Sequence, residues 1–398
     1  MRSIEIFSGV GGLAMGIADA GFKHEALIEW DRKACEVIRE NKRRGHDSTI
    51  HWPLFEMDVR QFDFSRIPDG LDLVAGGPPC QPFSLGGKHR GYRDDRDMFP
   101  EAVRAVRELQ PRAFLFENVR GILRQSFETY FEYILLQFAL PEILRKPKEG
   151  RAKHYARLKR QRERGAYEGL SYRVKYHLLN AADYGVPQRR ERVIVVGFRS
   201  DLGLDWSIPS PTHSQDALLW SQWISEDYWD KHGIRWKHRP EIPTKVRARV
   251  KRLQSTTTPP PGSPWTTVRD AILDLPEPQR WQTRINRVLN HTLNPGARSY
   301  PGHTGSLLDE PAKTLKAGNH GVPGGENMLV CSNSKVRYLT IRECARLQTF
   351  PDDYFFAGPW TGAMWQLGNA VPVKLSHVIA TKIKDLLNEN VLGQDNDP

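Results

Sequence analysis

The first 80 residues constrain the fold more tightly than any other stretch. Residues 3–7 (SIEIF) read as a buried strand, 8–12 (SGVGG) as a tight turn, and 13–20 as a helix stopped by Gly21. A second strand over 26–29 ends in Glu29, and a further apolar run, LDLVA at 71–75, closes on Gly-Gly-Pro-Pro at 76–79. Strand, turn, helix and strand in that order form a βαβ unit, which requires a mostly parallel sheet covered by helices on both faces. Ligands of such sheets sit beyond the C-terminal ends of the strands, so the residues just after each strand are the candidates for chemistry.

Three of those strand ends carry suggestive groups. Gly9-x-Gly11-x-x-Ala14 satisfies the loose dinucleotide fingerprint, and Glu29 lies twenty residues past Gly9, where a carboxylate accepts from ribose hydroxyls. Those glycines admit any nucleoside-bearing ligand and do not separate NAD from S-adenosylmethionine. Asp58 follows HWPLFEMD and is placed to accept from an adenine amino group. Cys80 sits in a loop stiffened by Pro78, Pro79 and Pro82, where it is either a nucleophile or a small buried hydrophobe.

A second cluster follows. AFLFENV at 113–119 is a buried strand ending in Glu117, preceded by the amphipathic helix 101–109. A thiol and a carboxyl on one sheet edge make a nucleophile and a general acid. YGVPQRRERVIVVGF at 184–198 brings a glutamine and three arginines to the start of another apolar strand. Beside a thiol and a carboxyl, arginine anchors a carbonyl or a phosphate.

Composition narrows the class. The 398 residues carry a net charge of +11, which favours a polyanionic partner. Cys35, Cys80, Cys331 and Cys344 include no C-x-x-C pair, and the thirteen histidines include no H-E-x-x-H, so neither a disulfide framework nor a metal is expected. There is no leader-like N-terminal segment and no 18-residue apolar run, which predicts a soluble, cytoplasmic protein with no membrane partner.

Taken in order, these motifs resemble the DNA (cytosine-5) methyltransferases that use S-adenosylmethionine. FSGVGG at 7–12 is similar to the family's cofactor turn, EW at 29–30 to its ribose and adenine contacts, and DV at 58–59 to its adenine-amino contact. GGPPCQPFS at 76–84 resembles the nucleophile loop, ENV at 117–119 the base-protonating segment, and QRRER at 188–192 the Gln-x-Arg-x-Arg motif. RECARLQTFPD at 342–352 and QLGNAVPV at 366–373 resemble a small-domain helix and the closing cofactor motif. Only about 199–300 lacks a counterpart, where such enzymes place their target-recognition region.

The resemblance implies a Rossmann-like class I α/β domain over 1–198 and 363–398, with a mixed, mostly parallel sheet. A smaller DNA-recognition domain is expected over 199–362. It assigns Cys80 to attack on cytosine C6, Glu117 to N3, Arg192 to O2 and Arg190 to pocket orientation, with Arg190 also a candidate for activating the thiol. Phe7, Gly9, Val10, Gly11, Gly12, Glu29, Trp30, Asp58, Val59, Pro79, Met98 and Asn369 would hold S-adenosylmethionine, released as S-adenosylhomocysteine. Ser84, Lys88, Arg90, Arg93 and Gln188 would contact double-stranded DNA, from which the target base must be flipped. The expected setting is a prokaryotic cell or a phage-infected host. There the protein would act as a monomer, either with a restriction endonuclease working separately or as an orphan modifier.

Two further features stand out. Residues 145–164 hold ten Lys or Arg against two Glu, a basic arm suited to a DNA backbone. Seven of the eleven tryptophans fall between Trp206 and Trp281, and they read as the core of a small subdomain. Three alternatives remain. A tRNA cytosine methyltransferase is disfavoured because no cysteine lies between Cys80 and Cys331. An NAD-dependent dehydrogenase explains neither the Pro-Cys-Gln loop nor the charge, and a silent DNA-binding module does not explain the full catalytic set.

Overall fold

The computed structural model describes residues 1–79, 97–165, 167–280, 288–301, 304–317, 327–331 and 335–394. The chain divides into two compact units, the first made of Met1–Leu179, Glu191–Pro209 and Ser376–Pro398, the second of Asn180–Arg190 and Ser210–Leu375. Sequence reading had assigned 180–190 and 363–375 to the larger unit and 199–209 to the smaller. Hydrogen bonds account for the first two: Arg189 N donates to Ala312 O (2.8 Å), Ala312 N to Pro187 O (2.9 Å), and Val373 N to Gln348 O (3.1 Å).

Within the first unit the strands are β1 (Arg2–Ile6), β2 (Lys23–Glu29), β3 (Leu54–Glu56), β4 (Leu73–Gly76), β5 (Ala113–Val119), β6 (Tyr172–Asn180) and β7 (Glu191–Arg199). Its helices are α1 (Gly12–Asp19), α2 (Arg32–Arg43), α3 (Phe99–Leu109), α4 (Glu128–Ala139) and α5 (Arg151–Arg164). The sheet order is β3-β2-β1-β4-β5-β7-β6; β1 pairs parallel with β2 and β4, and β7 runs antiparallel to β5. The order therefore reverses between β1 and β4, where Ile6 pairs with Gly76. That reversal opens a crevice past the carboxyl ends of these two strands, from which the turn at 7–11 and the loop leading to Cys80 emerge side by side. Only glycine fits at 76, because a Cβ there would lie 2.4 Å from Ile6 O.

Alternation along β1 divides its side chains between two layers. Ile4 and Ile6 join Val74, Phe114 and Phe116 in one core with α3 and α4, and Phe138 of α4 stacks on Phe114 and Phe116 at 4.8 and 5.0 Å. Ser3 points the other way and meets His24, whose second ring nitrogen bonds Ala14 O of α1. The C-terminal helix Val373–Gln394 is tied to this unit by Ser376 Oγ donating to Leu13 O and by Arg112 donating to Leu387 O. β6 forms one edge of the sheet; there Lys175 pairs with Asp205 at 2.7 Å and Arg173 donates to Gly203 O.

The arm at 145–164 forms α5 and folds onto α4. His154 is buried with both nitrogens engaged, by Tyr133 Oη at 2.8 Å and Ile143 O at 2.6 Å, and Leu158 is fully buried. In the second unit, Thr340 and Glu343 form a capping box on the helix Ile341–Leu347. Trp229 and Trp265 are core residues with Trp223 packed against them, whereas Trp236 is 78% exposed, contrary to the all-core reading. Trp206 packs near Phe198 in the first unit.

Candidate active site

The cofactor turn is built from backbone dihedrals that favour glycine. Gly9 and Gly11 have φ of 54° and 80°, and Phe7 between strand and turn shares the left-handed region at 59°. At Gly11 a Cβ would also lie 2.6 Å from the Trp52 ring, so both backbone and packing demand glycine. At Gly9 nothing lies within 4 Å of that position, which leaves a cradle open to a ligand. Val10 and Gly12 are buried beneath it. The N-terminus of α1 has no side-chain cap, so its first amides are available to an anion.

Glu29 braces this turn from β2. Its Oε2 accepts from Gly9 N (2.7 Å), and its Oε1 from Trp30 N (2.9 Å) and Asp31 N (2.8 Å). Burial pushes its pKa up, and the three amide donors pull against that rise. One Oε2 lone pair remains for a hydroxyl donor. The Trp30 ring is 69% exposed. Asp58 caps the turn Val59–Gln61 and pairs with Arg60, whose hydrogen bonds hold its carboxyl below the usual range. Met98 is half-buried, and its carbonyl accepts from Glu101 N and Ala102 N of α3.

The second half of the site is a buried ion pair. Glu117 and Arg192 are 7% and 8% exposed, with Arg192 Nε 2.5 Å from Glu117 Oε1. The antiparallel register places Val119 opposite Arg192, so the pair links the end of β5 to the start of β7. Asn118 donates from Nδ2 to Pro78 O at 3.1 Å, fastening β5 to the base of the loop that leads through Pro79 to Cys80. Sequence reading missed this brace; its signal was the asparagine beside Glu117. Cys80, Ser84, Lys88, Arg90 and Arg93 lie outside the described residues.

One residue of the QRRER motif, Gln188, lies otherwise than expected. Gln188 is fully buried, donates to Leu347 O and Gln348 Oε1, and accepts from Leu315 N. Its amide is spent inside the second unit, which corrects the reading of it as a DNA contact. Arg190 is also fully buried and donates to Leu315 O, Gly368 O and Ala370 O. The last two of these bonds bracket Asn369 from both sides. Asn369 itself is exposed at the end of the helix Trp360–Asn369.

A doubly wound sheet with a glycine cradle at its switch point, a proline-stiffened loop beside it and a buried carboxylate–guanidinium pair define a Rossmann-like transferase of nucleoside-bearing cofactors. The chain belongs to the C-5 cytosine-specific DNA methylases, whose pattern it matches over residues 1–141 and 152–385. Among its relatives are the Type II methyltransferases M.Eco47II of Escherichia coli (32% identical, 97% of this chain, 79% of that protein) and M.NgoMIV of Neisseria gonorrhoeae (32%, 98% and 99%). The fold is shared with the Dnmt2 methyltransferase of S. pombe (TM-score 0.53, 16% identical, 98% of this chain and 99% of that one). A Spodoptera frugiperda DNMT2 mutant gives a TM-score of 0.54 at 16% identity, covering 96% and 99%. The protein is thus a DNA (cytosine-5) methyltransferase.

Proposed function

We propose that the protein methylates one cytosine in a specific sequence of double-stranded DNA through a covalent adduct on Cys80, with S-adenosylmethionine as donor. The observation that carries this reading is the buried Glu117–Arg192 pair, joined through Asn118 to the loop leading to Cys80 and facing the same strand ends as the glycine cradle. Cytosine C5 is a weak nucleophile. Addition of the Cys80 thiolate forms an S–C6 bond and moves the electron pair of the C5=C6 bond onto C5 and the conjugated ring. Glu117 hydrogen-bonds N3 as the ring gains charge, and Arg192 donates to O2. Once C5 has bonded the donated methyl group, loss of the C5 proton to a base and expulsion of the thiolate restore the C5=C6 bond and the free cysteine.

The open space at Gly9, the uncapped α1 and the free Oε2 lone pair of Glu29 fit the cofactor. When bound, S-adenosylmethionine supplies an electrophilic methyl group and leaves as S-adenosylhomocysteine. Glu29 holds the ribose hydroxyls, Trp30 lies at the adenine with Asp58 and Val59, and the α1 amides meet the methionine carboxylate. Phe7, Val10, Gly11, Gly12, Pro79 and Met98 complete the lining, and Asn369 is retained as a carboxylate contact on the resemblance. The Type II relatives support a role in restriction-modification; action as an orphan modifier, a monomeric state and a cytoplasmic setting complete the proposal.

The test is bisulfite sequencing of plasmid DNA from cells expressing the wild type or Cys80→Ser, with duplex DNA and tRNA offered side by side in vitro. C5 methylation at one DNA sequence, lost in Cys80→Ser, is expected. Labelled tRNA alone, or wild-type rates from Cys80→Ser, would overturn the reading.

A further inference from the structure

The outward face of α5 takes no part in the chemistry above, and residues 142–151, which lead into it, fall outside the family match. We propose that this face grips the phosphate backbone of the duplex beside the target, holding DNA on the catalytic unit independently of base reading. The inference rests on the duplex-DNA reading.

The inner side of the arm is already neutralised. His154 and Leu158 fasten α5 to the unit, and Arg157 pairs with Glu149 at 2.8 Å. The outer side is not. Lys153, Lys159, Arg160, Arg162 and Arg164 are exposed, with Glu163 the one exposed acid on the helix. Among the described residues Lys153, Arg160, Arg162 and Arg164 make no ion pair, and Lys159 Nζ stands 3.9 Å from Glu132.

Lys153, Arg160 and Arg164 sit at i, i+7 and i+11, within about 20° of one line along the helix. They span about 16 Å, the axial length of roughly five base steps. Arg160 and Arg164, four residues apart, repel one another, so the face costs helix stability unless a polyanion meets it. The other exposed residues within the helix are Ala152 and Ala156, which offer no apolar anchor for a membrane or a protein groove.

The first residue of α5 reaches toward the start of α3. The Arg151 guanidinium lies 5.3 Å over the Tyr130 ring, and Tyr130 donates to Asp97 Oδ2 at 2.5 Å.

The experiment uses the full chain carrying Lys153→Gln, Arg160→Gln and Arg164→Gln together, with a second chain carrying Arg160→Lys and Arg164→Lys. Affinity for a 40-base-pair duplex bearing the methylated site is measured from 50 to 200 mM KCl with S-adenosylhomocysteine present. Each lost phosphate contact lowers the slope of log K against log salt by about 0.9, so the glutamine chain should lose about 2 to 3. Its kcat should be unchanged, and the lysine chain should keep the wild-type slope. Equal circular dichroism and melting temperature confirm that both chains fold. A glutamine-chain slope within 0.5 of wild type, with the wild type binding and methylating normally, would overturn this inference alone. A wild type that neither binds nor methylates any duplex would sink the underlying reading and this one with it.

Discussion

Replacing Arg192 by Met tests how far the site depends on its buried pair. At 2.5 Å the attraction between Arg192 and Glu117 is about 7 kcal/mol at an effective dielectric of about 20. Desolvation of two side chains that are each 9% exposed offsets much of it. Removing one partner leaves the other charge buried and uncompensated, so Arg192→Met should cost about 3–5 kcal/mol, and Glu117→Gln a similar amount. The double variant buries neither charge and should return to within about 2 kcal/mol of the wild type, a coupling of at least about 3 kcal/mol. Because the chain forms two compact units, stability is read from hydrogen exchange of β5 and β7 amides rather than from one bulk signal. A coupling below about 1 kcal/mol would show that the pair is not what holds the ends of β5 and β7 together.

Two further outcomes follow from the cofactor half. Gly11→Ala should destabilise the protein by roughly 1–3 kcal/mol from its dihedral and displace Trp52 besides, whereas Gly9→Ala meets no neighbour. Calorimetric titration with S-adenosylhomocysteine and melting curves check both, and equal stability of the two variants would count against the Trp52 contact. Burial pushes the His24 imidazole down to about 4 from 6.5, so the unfolded chain takes up the proton first. The stability due to neutral His24 is whole above pH 6.5 and falls by about 3 kcal/mol as pH drops to 4. Urea titrations across that range should give a shallower fall for His24→Gln, and parallel curves would refute the assignment.

Local pattern carried much of the architecture. The strand read at 113–119 coincides with β5, because an uninterrupted apolar run bounded by Pro111 and a polar end has one reading. The helix read at 101–109 begins at Phe99, since Phe99 and Pro100 complete its first turn. Gln188 and Arg190 were illegible for a different reason. Their partners at 315, 347, 348, 368 and 370 lie more than a hundred residues away, and no spacing rule announces them. Trp236 shows the same limit, because composition reveals that tryptophans cluster but not which one is left outside.

The guarded edge of the sheet bears on how the protein behaves at high concentration. β6 is nine residues long and exposes Tyr176 and Leu178, the kind of strand that recruits a second chain into a continuous sheet. Arg173 and Lys175 interrupt it with charge, and both are held by the stretch at 203–205 that returns beside the strand. Charged residues on an edge strand, held in this way, disfavour pairing with a second chain. Shortening or neutralising the stretch at 203–205 should favour edge-to-edge aggregation with the active-site residues untouched.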